Sequence, residues 1–163
     1  MAQDLSTFLA ETIERELPSL RTLTEERASM ARAPGKWSAK EELGHLIDSA
    51  ANNHIRFVRG AIEAEFQGPG YSQNDWVRVH GYSYMQWETI INFWFQYNAF
   101  LVRLVDRIPE DRLDAQCFIG TSPAVTLRFV IEDYILHMQH HIDLLLRREV
   151  ITKYPGAMMR ATI

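Results

Sequence analysis

The sequence predicts an all-α protein, a four-helix bundle formed as one domain over residues 1–163. Three observations support that prediction. Four long segments repeat apolar residues at three- and four-residue spacings. Most of these segments are bounded by capping or helix-breaking residues. At 163 residues and 47% hydrophobic, the chain can bury one sizeable core and is too short to argue for two.

The first segment, about residues 4–26, places Leu5, Phe8, Leu9, Ile13, Leu17, Leu20 and Leu23 at mixed three- and four-residue spacings, which reads as a helix. Pro18 is expected to kink or divide it, because proline lacks a backbone donor and crowds the preceding turn. Ala33-Pro34-Gly35 reads as a loop. A second helix then opens on a capping box, Ser38 with Glu41, and Trp37 just ahead as a staple. It is expected to run to about Glu65. Its apolar stripe passes through Leu43, Ile47, Ala50, Ala51, Ile55, Val58, Ala61 and Ile62. A polar stripe carries Glu41, His45, Asp48, Asn52, Arg56 and Arg59. Periodicity alone turns His54 inward and His45 to solvent; if the polar stripe lines a cleft, His45, Asp48 and Asn52 form its wall instead.

Gln67-Gly68-Pro69-Gly70 ends that helix, and a short helical turn is expected around Trp76. Ser83 and Gln86 have capping-box spacing and open a third helix to about Arg107, through Trp87, Ile90, Ile91, Trp94, Tyr97, Asn98, Leu101, Leu104 and Val105. Its aromatic content suits a core or a subunit interface. Residues 113–120 form a connector without a clear period, in which Cys117 packs as a small hydrophobe. Thr121-Ser122-Pro123 is expected to start the last helix, which continues to about Arg147 or Arg148. The tail from Val150 looks irregular.

Composition excludes several functions. A net charge of −4, a pI near 5.9 and 17 scattered basic residues leave no electrostatic footprint for nucleic acid. No stretch approaches the roughly 18 uninterrupted apolar residues of a membrane span, and the N-terminus lacks a signal-like pattern. A lone cysteine cannot form an internal disulfide, which suits a reducing cytoplasm, the expected location.

Three of the six histidines fall within five residues on the last helix. His137 and His141 are four apart and therefore stack on one face, inside the apolar half of the wheel. His140 lies on its border. Two inward imidazoles need partners, because an unsatisfied buried polar ring costs roughly 1–3 kcal/mol. A shared divalent metal would serve both, given a third ligand. The zinc-protease motif does not apply, since Met138 stands where that chemistry needs a Glu base.

The ordered set Trp37-Ser38, Gly44-His45-Leu46-Ile47-Asp48-Ser49, Asn52, Ile55-Arg56-Phe57, Trp76 and His137-x-x-x-His141 resembles the DinB/YfiT-like superfamily, closest to its YfiT-like branch of metal-dependent hydrolases and thiol transferases. The resemblance implies up-down-down-up connectivity and one divalent metal, nickel or zinc, held by His45, His137 and His141. His54 then reverts to packing and His140 to the cleft edge. Three imidazoles leave open metal positions, as catalytic sites require. The expected function is activation of water or of a low-molecular-weight thiol toward a small-molecule substrate. Asp48 is the candidate to orient a ligand imidazole or bound water, with a solvated carboxylate as the plain alternative. Asn52 and Arg56 are the candidate substrate contacts. A homodimer is expected from the aromatic third helix and the resemblance. The competing class is a non-catalytic helical protein in which the metal is structural or adventitious.

Overall fold

The computed structural model describes residues 1–152. Four long helices dominate: α1 (Ala2–Arg21), α3 (Ala39–Ile62), α5 (Trp87–Asp106) and α6 (Leu127–Leu145). Shorter elements fill the connections, α2 (Glu25–Ser29), α4 (Gln73–His80) and the strands β1 (Glu65–Gly68), β2 (Gln116–Ile119) and β3 (Val125–Thr126). α1 and α3 each pack against both α5 and α6, so α1 and α3 lie on one diagonal of the bundle. Leu9, Leu43, Trp94, Leu101, Ile131 and Ile135 are fully buried between them.

Hydrogen bonds across one end of the bundle fix the direction of every long helix. Arg112, just past α5, donates to the carbonyls of Gly60, Ala61 and Glu63 at the end of α3. The C-termini of α3 and α5 therefore meet. At the same end, the Leu127 amide opening α6 donates to Ala115 O, and the Ala2 amide opening α1 donates to Glu110 Oε2. The order is up-down-down-up. Parallel α3 and α5 require a long crossover, which β1, α4 and a 3-10 turn at Tyr82–Tyr84 supply.

Several local expectations hold. Ser38 Oγ accepts from the Glu41 amide while Glu41 Oε2 accepts from the Ser38 amide at 2.8 Å, the reciprocal cap that starts α3. The turn around Trp76 is α4, closed by Gly81 in the left-handed region at φ 64°. Others are corrected. Pro18 does not divide α1, which continues to Arg21; proline here forfeits only its own amide's bond in the ladder, and Trp87 Nε1 donates to Leu20 O at 3.2 Å to hold the end of the helix. The chain breaks at Thr22–Thr24, so Glu25 and Glu26 belong to α2, capped by Thr24. α3 stops at Ile62 because Glu63 is already extended and leads into β1.

Ser83 lies in the 3-10 turn and α5 begins at Trp87, after Gln86. Thr121–Pro123 does not start α6. It lies in the β2–β3 connection, with Gly120 at φ 59°, and Thr126 is the true cap, its Oγ1 accepting from the Phe129 amide at 3.1 Å. The supposed connector around Cys117 is β2, which pairs in parallel with β1 and antiparallel with β3. On α3 the expected apolar stripe is rotated: Ile55 and Ile62 are 57% and 74% exposed, whereas Leu46, Asn53, Phe57 and Gly60 are buried. No helix among the described residues is long and apolar enough to cross a membrane. The expected irregular tail lies mostly outside the described residues.

Candidate metal centre

His45 sits on the second turn of α3, and His137 and His141 on successive turns of α6. Because α3 and α6 are antiparallel neighbours, the three rings converge. His45 is fully buried, His137 is 5% exposed and His141 is partly buried. Nε2 of His45 lies 3.2 Å from Nε2 of His137, and the ring centroids of His45 and His141 are 4.6 Å apart. One ligand atom from each residue falls within 4.8 Å of the others, the single such His/Cys/Asp/Glu group among the described residues.

The donor set suits a divalent ion. Two nitrogens each about 2.0–2.1 Å from a tetrahedral ion lie about 3.3–3.4 Å apart, close to the observed spacing of the His45 and His137 nitrogens. His141 is oriented by Glu42, whose Oε2 lies 2.7 Å from its Nδ1, which leaves Nε2 as the ligand atom. Glu42 is 2% exposed and its other oxygen is 3.5 Å from Arg32. Glu42 carries no recognisable motif in the sequence. Its signal was position, three residues before His45 and hence on the same helical face. Trp37 packs on the His45 ring at 5.1 Å, so the expected staple also walls the centre.

Asp48 is 1% exposed, and its Oδ1 accepts from Tyr82 Oη at 2.6 Å and faces His80 Nδ1 at 2.8 Å. Burial raises its pKa, and the bonds from Tyr82 and His80 pull the other way. Oδ2 has no hydrogen-bond donor among the described residues. Thus the carboxylate expected to orient a ligand ring or bound water is engaged by Tyr82 and by His80, a histidine that no sequence motif singles out. Burial and the Asp48 carboxylate raise the Tyr82 hydroxyl in turn. Gly44 makes this approach possible: a Cβ there would stand 2.2 Å from the Tyr82 ring.

A cavity of about 500 Å³ reaches His137 from the side opened by the β2–β3 turn and the segment before α4. Ser49, Asn53, Arg56, Asp133 and Tyr134 line it. Asn52 is not among its lining residues; its amide donates to Asp48 O at 2.9 Å, while Asn53 faces the cavity and meets Arg56 Nη1 at 3.3 Å. His54 meets Tyr97 Oη at 3.1 Å, and His140 Nδ1 is 3.4 Å from Thr152 O, both outside the three-ring group. Cys117 is fully buried, and burial pushes its thiol up, which opposes a nucleophilic role.

Residues 9–145 match the model of the DinB superfamily. The chain belongs to the DinB superfamily. Among solved structures, this superfamily member is similar to YfiT from Bacillus subtilis, described as a probable metal-dependent hydrolase with an unusual four-helix bundle topology. That likeness has a TM-score of 0.80 at 17% identity and covers 90% of this chain and 84% of YfiT. It is also similar to the mycothiol-dependent maleylpyruvate isomerase, with a TM-score of 0.68 at 10% identity over 98% of this chain, and to a histidine-to-alanine mutant of that isomerase, with a TM-score of 0.69. This chain spans 64% of the isomerase's length. Comparison with curated protein sequences found no match. At these identities the structural likenesses establish the fold.

Proposed function

We propose that His45, His137 and His141 hold one divalent ion, nickel or zinc, and that the protein is a metal-dependent hydrolase or thiol S-transferase acting on a small molecule. The observation that carries this reading is the convergence of three imidazoles from two helices beside a cavity of about 500 Å³. When bound, such an ion acts as a Lewis acid that lowers the pKa of water or of a low-molecular-weight thiol. Three protein ligands suit a catalytic centre, whereas structural zinc is closed by four. Glu42 holds the His141 ring in orientation through its Nδ1.

The remaining roles follow from position. Arg56, in the cavity lining, can anchor a carboxylate or other anionic group of the substrate, with Asn53 and Ser49 as polar neighbours. Asn52, one residue away, acts through the Asp48 backbone in this reading. Asp48 holds His80, which is about half exposed, at 2.8 Å. The reading includes a homodimer, for which Phe93 and Phe100 on α5, each about half exposed, are the candidate contacts.

Metal analysis of protein purified without an affinity tag tests the proposal. One divalent ion per chain is expected, lost in His45→Ala, His137→Ala and His141→Ala and retained in His140→Ala. Activity screens on the loaded protein, thiols with electrophiles against esters and amides, then separate transferase from hydrolase. Silence in both at full occupancy favours the non-catalytic alternative, and light scattering reads the oligomeric state.

A further inference from the structure

A second pocket, separate from the cavity at His137, lies between α2, the start of α3 and the end of α6. Its volume is about 250 Å³. Arg27, Arg32 and Arg147 line it together with Trp37, Met30 and Leu146, and no Asp or Glu is in its lining. In a chain with 21 acidic and 17 basic residues, three arginines in one lining without an acidic residue are an imbalance.

The neighbours do not remove that imbalance. No carboxylate of the described residues lies within 4.0 Å of the Arg27 or Arg147 side chain. Arg32 reaches Glu42 at 3.5 Å, but the other Glu42 oxygen is held by His141 at 2.7 Å. Two helix ends border the pocket, the N-terminus of α3 at Ala39 and the C-terminus of α6 at Leu145, and their opposite partial charges largely cancel. The three arginines that share the lining therefore set the local field, and an anion bound among them lowers their mutual repulsion. Arg147 is also the one non-glycine residue among those described with a left-handed backbone, at φ 57°, and that turn places it at the pocket.

We infer that this pocket binds a small oxyanion, a phosphoryl or carboxylate group carried on a flat apolar body. The guanidinium fork matches the oxygen geometry of both groups. Trp37, Met30 and Leu146 offer the apolar body a wall, and the volume of about 250 Å³, below that of ordinary drug-sized sites, limits the ligand to a small fragment. The site does not depend on the metal proposal, since none of His45, His137 and His141 lines it. Arg32 nevertheless links the two places, because the Glu42 it touches holds His141.

Isothermal titration calorimetry on the full chain, stripped of metal by a chelator that is then dialysed away, tests the inference with phenyl phosphate and with benzoate at matched ionic strength. One site per chain is expected for at least one of the two, and their ratio names the preferred head group. The double variant Arg27→Gln/Arg147→Gln should weaken binding about tenfold or more, because two charge-assisted contacts are lost. Arg128→Gln, which breaks a surface pair with Glu110 away from the pocket, should bind as the wild type does. Absence of heat with both probes at about 10 mM overturns the inference, as does equal affinity in the double variant when circular dichroism shows it folded. Because the protein is metal-free throughout, failure here leaves the three-histidine proposal standing, and loss of metal in the histidine variants leaves this one standing.

Discussion

A carboxylate as buried as Glu42 is costly unless it is held, and the His141 contact at 2.7 Å holds it. Glu42→Gln removes the charged acceptor that fixes the orientation of the ring. Metal affinity is expected to fall about 10–100-fold with the helical content unchanged. Competition against a chromophoric chelator measures this; an unchanged affinity would reduce Glu42 to a packing role. Gly44 gives a second expectation. With a Cβ only 2.2 Å from the Tyr82 ring, Gly44→Ala should destabilise by about 1–3 kcal/mol in urea unfolding. Made in a Tyr82→Ala background, the same change should be neutral or stabilising, since alanine is the better helix former by about 1 kcal/mol. Neither residue was legible as functional, because each matters through a partner on another element. His45 had the same problem. A helix wheel ranks faces by apolarity, so it puts a buried polar face on the solvent side and could not choose His45 over His54.

Between elements, Glu16 ties α1 to the end of α6. Its side chain is 2% exposed and meets Arg148 at 2.7 Å and Arg15 at 3.0 Å. Burial alone would raise its pKa, but the bonds from Arg148 and Arg15 outweigh burial and hold the carboxyl below the usual glutamate value. A depressed folded pKa contributes stability above the unfolded value, about pH 4.3, and that stability is lost as pH falls through the folded value. Urea midpoints measured from pH 7 down to pH 2 should therefore drop steeply on the acid side. Glu16→Gln should be less stable at pH 7 by about 1–3 kcal/mol and show a shallower acid slope. Equal slopes would remove Glu16 from the account. Element identity was legible in proportion to local signal. The α3 cap was readable because Ser38 and Glu41 bond within one turn. The strands were not, because β1 and β2 are four residues each, too short for a period, and are paired only through chain 51 residues apart, as at Glu65 and Gln116.

The bundle as a whole is closed at one end by Arg112, which joins the ends of two parallel helices. Arg112→Ala leaves those part-buried carbonyls without their charged donor and should cost about 1–2 kcal/mol, with hydrogen exchange fastest at the C-terminal turn of α3. Uniform exchange along α3 would argue against such a clasp. Metal loading should act on the entire fold in the opposite sense. If the three histidines bind an ion only when folded, saturation at 100 times Kd adds about 2.7 kcal/mol, and a thermal melt should show the gain in wild type and lose it in His137→Ala.

The four long helices, the Ser38 cap of α3 and the bundle class are written in the chain itself, because spacing of 3.6 residues and a cap closed within one turn act over a few neighbouring positions. The centre is not written that way. His45 and His137 meet across 92 residues, Glu42 reaches His141 across 99, and Tyr82 reaches Asp48 across 34. Which polar residues of α3 face inward was decided only when the antiparallel α6 and the crossover from α3 to α5 enclosed them, since burial is a property of the packed neighbours and no local pattern contains it.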